Sequence, residues 1–91
     1  LKMLTITLNF RRLADRDALY QTLAQQSHCP FAFGNNLDAL WDWLTGGMAL
    51  PARIHLRHAA EAEQRDEFAA VLALLEEAAQ ALEGDLRLKR D

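Results

Sequence analysis

Three short segments of this chain alternate apolar and polar residues with a period of two, and helical patterns separate them. Leu4-Thr5-Ile6-Thr7-Leu8-Asn9-Phe10 is the first. In the second, Ile54 and Leu56 point one way while Arg53, His55 and Arg57 point the other. Asp85-Leu86-Arg87-Leu88-Lys89-Arg90 is the third. Strict alternation marks a strand with one buried face. Pro51 precedes the second strand, where its missing amide does no harm. Helical crossovers between sequential strands favour a parallel, right-handed arrangement. Parallel sheets are usually covered on both faces, but alternation in all three strands leaves one face for water. The expected fold is therefore α/β: a two-layer domain with a three-stranded parallel sheet (around 4–10, 53–58 and 85–90) and helices packed mainly on one face. The open face would carry Thr5, Thr7, Arg53, His55, Arg57, Arg87 and Lys89. Ninety-one residues suit a single domain spanning 1–91.

The intervening stretches read as helices. Asp15 is a candidate N-cap for a helix through Leu19, Tyr20, Leu23 and Ala24, ended near Ser27-His28-Cys29-Pro30 because proline disfavours helix in the residue before it. Phe31 and Phe33 are expected to plug the core. Ala59 to Asp66 suits a short helix. From Asp66 onward, Phe68, Val71, Leu72, Leu75, Ala79 and Leu82 share a stripe, with Glu77 opposite it and Gly84 closing the helix.

The stretch from Phe33 to Pro51, FGNNLDALWDWLTGGMALP, carries the functional signal. Asn35 or Asn36 can cap a helix spanning roughly 36–46, and Gly46 or Gly47 can close it in the left-handed conformation. Leu37, Leu40, Trp41 and Leu44 fall on one stripe; Asp38, Asp42 and Thr45 fall on another. Two carboxylates four apart repel by roughly 0.2–0.5 kcal/mol. No Lys or Arg lies between Asp17 and Ala52 to offset this. Such a pair beside a Trp suits a positively charged partner, although a solvated face would look the same. Trp41 and Trp43 are both expected to be less than fully buried.

These residues resemble the barstar family of intracellular ribonuclease inhibitors. The resemblance rests on Phe33, Gly34, Asn36, Leu37, Asp38, Ala39, Leu40, Trp41, Asp42, Leu44, Thr45, Gly46 and Pro51, and the order of elements on either side fits as well. It implies that the exposed acids of this helix plug a nuclease's basic active site. Asp38 and Asp42 match the family's two helix acids, Trp41 the Trp between them, Phe33 an aromatic of the interface loop, and Glu77 a further interface acid on the last helix. The implied partner-binding set is Asp38, Asp42, Trp41, Thr45, Glu77, Phe33, Asn36 and Gly46. Two departures stand out: the family has an interface Tyr where this chain has Ala32, and an interface Trp where it has Gly47. Aromatic residues often anchor interfaces, so binding to the family's usual target should be weaker.

Charge and motifs narrow the classes further. Net charge is −3, with nine acids against four bases in 61–91 and four against six in 1–60. Overall acidity argues against direct nucleic-acid binding, which draws on clustered Lys and Arg. The sheet face would be basic and the helical side acidic. An enzyme reading would have Asp38 and Asp42 act as an acid/base pair or hold Mg²⁺, but the neighbouring stretch lacks the basic residues a phosphate substrate needs. No nucleotide-binding Gly loop or nucleophile motif is present, so no catalytic residue, metal or cofactor is expected. His55 and His58 would face opposite sides of a strand and cannot share a metal. Cys29 is the only cysteine, which excludes an internal disulfide and favours a reducing compartment. No run of 18 apolar residues suggests a membrane span, and the start lacks a leader pattern. The resulting expectation is a cytoplasmic immunity-type inhibitor, monomeric when free, whose partner is a basic protein such as a ribonuclease. The alternative is a protein-interaction or anion-binding domain that has lost nuclease inhibition and uses the acidic helix or the basic sheet face, the latter toward an anionic partner or RNA.

Overall fold

The computed structural model describes residues 3–34 and 36–91. The element order is β1 (Leu4–Asn9), α1 (Arg16–Gln26), α2 (Leu37–Asp42), a π-helical turn (Trp43–Gly47), β2 (Ala52–Arg57), α3 (Ala59–Glu63), α4 (Asp66–Ala81) and β3 (Leu86–Arg90). The strands form one sheet in the order β1-β2-β3, parallel throughout. Ile6 pairs with Ile54, and Ile54 with Leu88; Arg53 pairs with Arg87, and His55 with Lys89. The expected strands are present, each differing by one residue at one or both ends.

Alternation sorts the two faces as the sequence implies. Ile6, Leu8, Ala52, Ile54, Leu56 and Leu86 are buried against the helices, whereas Thr5, Arg53, Arg57, Arg87 and Lys89 are exposed. The core continues through Leu19 and Leu23 of α1, Leu40 and Leu44 of the acidic segment, and Phe68, Val71, Leu72 and Leu75 of α4. Fully burying one such side chain is worth about 1.5–3 kcal/mol, so the helical layer is held mainly by this apolar contact. Ala78, not Ala79, continues the α4 stripe; Ala79 and Leu82 are only half-buried.

The main chain of edge strand β1 is partly covered by a side chain. Thr7 donates its N–H to Gln26 Oε1 at 2.7 Å, and Gln26 Nε2 donates to the Thr7 carbonyl at 3.1 Å. The amide mimics a neighbouring strand and ties the end of α1 to the sheet edge.

Helix ends depart from the expected chemistry. Asp15 caps α1 as anticipated, accepting from the Ala18 N–H at 2.9 Å. The other end is closed by His28 in the left-handed conformation (φ 60°), with Cys29 N–H donating to Ala24 O and His28 N–H to Gln25 O. These two bonds form a Schellman motif that normally favours glycine. After α4 the left-handed residue is Glu83 (φ 54°), not the expected Gly84. Gly46 and Gly47 likewise do not adopt the left-handed form. The segment ends instead through a wide turn in which Met48 N–H donates to Trp43 O at 2.7 Å. Such π turns are rare and recur at functional sites.

Phe33 is buried as expected, but Phe31 is 48% exposed. Its ring lies edge-on to Phe33 and Trp43 at 6.0 and 5.8 Å and covers that pair from the solvent side.

Candidate functional site, an acidic helix with an aromatic support

Asn36 starts α2. Its side-chain oxygen accepts from Asp38 N–H at 2.8 Å and Ala39 N–H at 3.3 Å. Such a cap is worth about 1 kcal/mol. Asn35, the other capping candidate, lies outside the described residues. With the start fixed by Asn36, Leu40 and Leu44 turn fully inward and Leu37 and Trp41 sit half-buried at the border. Asp38 and Asp42 are then exposed on the outer face. Asp38 lies in the first turn, where the partial positive charge of the free amides favours an anion. Asp42 lies a turn further on and gains nothing from that end.

Among the described residues, neither aspartate has a cation within ion-pair distance. Arg16 lines the same shallow depression as Asn36 and Asp38, but its Nε donates to the Glu67 carbonyl at 3.0 Å. Glu77 is exposed on α4, the helix against which α2 packs, and it also has no ion-pair partner among the described residues. Gly46 is exposed, with open space around its α-carbon. Thr45 is half-buried, its hydroxyl donating to the Trp41 carbonyl at 2.8 Å. Of the eight residues implicated by sequence, Asp38, Asp42, Glu77, Asn36 and Gly46 thus reach solvent, Trp41 and Thr45 do so in part, and Phe33 does not. Phe33 instead packs on Tyr20 at 6.1 Å and anchors the loop that leads into α2.

The support beneath this helix was not legible in the sequence. Trp43 donates its indole N–H to Ser27 Oγ at 2.9 Å, and the Ser27 hydroxyl donates to Leu23 O at 2.7 Å. The π turn then folds Gly47 onto the indole. A Cβ at position 47 would lie 2.4 Å from Trp43 Cε3, far inside contact distance. Residue 47 is therefore glycine because Trp43 occupies the space a side chain would need. The only sequence hint was the pairing of an extra Trp with Gly-Gly three residues later.

A cavity of about 640 Å³ lies between α1 and the loop that leads into α2, lined by Asp17, Tyr20, Gln21, Phe31, Ala32 and Gly34 among others. The Tyr20 hydroxyl is buried without a partner among the described residues, and burial pushes its pKa up while nearby Arg16 opposes the shift.

The family model described as "Barstar (barnase inhibitor)" matches residues 3–89. The chain belongs to the barstar family. It is also similar to a Bacillus subtilis (strain 168) protein named "Putative ribonuclease inhibitor YrdF", with 36% identity over 56 residues. That match covers 62% of this chain and 62% of the relative's length. Among the described residues, no helix is long and apolar enough to cross a membrane.

Proposed function

We propose that this barstar-family chain inhibits a ribonuclease by occlusion, with α2 seated in the enzyme's cationic active site. Asp38 and Asp42, assisted by Glu77, stand in for substrate phosphates; Trp41 and Thr45 pack on the rim, Gly46 permits close approach, and Phe33 and Asn36 hold the loop and helix start in place. The observation that carries this reading is the pair of exposed aspartates left without a cationic partner among the described residues. No bond is made or broken and no cofactor takes part, so the chain is not an enzyme. It acts as one domain in the cytoplasm, monomeric when free, as an immunity protein toward a basic partner. Opposite charges on the two surfaces speed encounter beyond the neutral rate.

One observation favours the second reading, a protein-interaction domain that has lost nuclease inhibition. Position 47 cannot carry a side chain while Trp43 stays in place, and Ala32 is small, so two aromatic contacts of the family are missing. Both readings meet in one assay: microbial ribonucleases, barnase included, are titrated with the chain on a fluorogenic RNA substrate. Inhibition proposes RNA-competitive, one-to-one loss of activity for at least one enzyme and only weak inhibition of barnase. No inhibition of any enzyme favours the second reading.

A further inference from the structure

The open face of the sheet has a charge pattern the inhibitor role does not use. Arg53 and Arg87 are registered partners on β2 and β3, and so are His55 and Lys89 one row further along. Arg57 extends the β2 line by another row, and Thr5 and Thr7 border it on β1. Like charges directly opposite one another destabilise a sheet, and Arg53–Arg87 is such a pair with nothing between the strands. Among the described residues Arg53, Arg57, Arg87 and Lys89 have no ion-pair partner, and all four are exposed. Arg87 makes only a 3.4 Å contact to Gly84 O. The acid in contact with this face is Asp91, whose carboxylate is bonded to His55 at 3.0 Å. Exposed Asp85 adjoins the start of β3.

We propose that this face binds the phosphodiester backbone of single-stranded RNA, independently of sequence. Alternate residues along a strand repeat at about 6.7 Å, a period close to the phosphate repeat of an extended strand. Among the described strand residues, the face offers guanidinium, ammonium and hydroxyl groups but no apolar side chain, so its strands lack the anchor a protein partner would need. It also lacks aromatic platforms for bases, which leaves backbone charge as the recognised feature. The chain's net negative charge does not oppose this, because the acids of α2 and α4 are segregated on the helical layer.

The test is fluorescence anisotropy of a labelled 12-nucleotide oligouridylate, read across a salt series. Four contacted phosphates give a log–log salt slope of about −3, or roughly 50-fold weaker binding between 50 and 200 mM salt. The double variant Arg53→Gln/Arg87→Gln, altered only at exposed positions, should lower the slope to about −1.5. Asp38→Asn/Asp42→Asn should leave RNA binding intact. That separates this surface from the inhibitory one, whatever the fate of the inhibitor reading. No saturable binding at low salt, or an unchanged slope in the arginine double variant, overturns the proposal. Displacement of the RNA by polyglutamate at equal charge concentration overturns it too and assigns the face to an acidic protein.

Discussion

Two acidic regions of this molecule treat their charges in opposite ways. Around α3, α4 and the end of β3 four acids have an arginine. Arg11 Nε sits 2.9 Å from Glu61, Arg65 Nη2 2.7 Å from Glu67, and Arg90 bridges Glu63 and Glu76. On α2, Asp38 and Asp42 have none among the described residues. The first region belongs to the scaffold: its ion pairs link α3, α4 and β3 and tie the segment after β1 to α3. The second holds two like charges on one face of one short helix, without an ion pair among the described residues. Asp17, Asp66, Glu77, Glu83 and Asp85 lack an ion pair there as well, so what sets Asp38 and Asp42 apart is their shared face beside Trp41, the feature on which the proposed docking rests.

The sharpest way to break the comparison is at its aromatic support. Gly47→Ala places a methyl against the Trp43 ring, which is pinned by Ser27 and covered by Phe31. Overpacking of this kind costs about 1–3 kcal/mol, read as a lower urea midpoint with an unchanged slope. An unchanged midpoint would mean the indole swings away freely. Trp43→Phe keeps most of the ring but loses the donor to Ser27 Oγ, at a cost of about 1 kcal/mol. Inhibition should weaken as well, because the π turn that positions Thr45 and Gly46 loses its anchor.

A smaller effect tests the paired side. Arg90→Ala frees Glu63 and Glu76, and because all three groups are largely solvated the loss should be at most about 1 kcal/mol and shrink in high salt. On the bare side the sign reverses. Asp42→Ala relieves repulsion from Asp38 and should raise stability by up to roughly 0.5 kcal/mol. A destabilised Asp42→Ala variant would make Asp42 a scaffold acid after all.

How much of this was legible in the sequence follows from which residues report on local and which on tertiary forces. Alternation marked the strands and their faces, because each depends only on neighbours two residues apart, and the helical crossovers between them pointed to parallel pairing. Asn36 announced the start of α2 for the same reason, since a cap acts within one turn. The helix ends were less legible. His28 and Glu83 hold left-handed positions that local preference would give to glycine. Phe31 reads as core by composition, yet it lies outside Phe33 and Trp43, whose contact depends on a loop conformation no local pattern encodes. The exposure of Asp38 and Asp42 was readable from helical phase. The absence of a cation beside them was readable only for cations nearby in sequence, and Arg16 shows that a distant one can come close and still be committed elsewhere.

The most direct measurement sets one acid from each region against the other in a single inhibition assay. With the ribonuclease that the chain inhibits most strongly, Asp42→Ala and Glu76→Ala are compared with the parent chain. Docking through the bare acids requires Asp42→Ala to weaken inhibition by about 2–5 kcal/mol, a range drawn in part from complexes of this family, or roughly 30-fold to several thousand-fold. Glu76→Ala, already paired with Arg90, should change inhibition by less than about threefold. Equal effects from the two variants, or a larger one from Glu76→Ala, would contradict docking through α2.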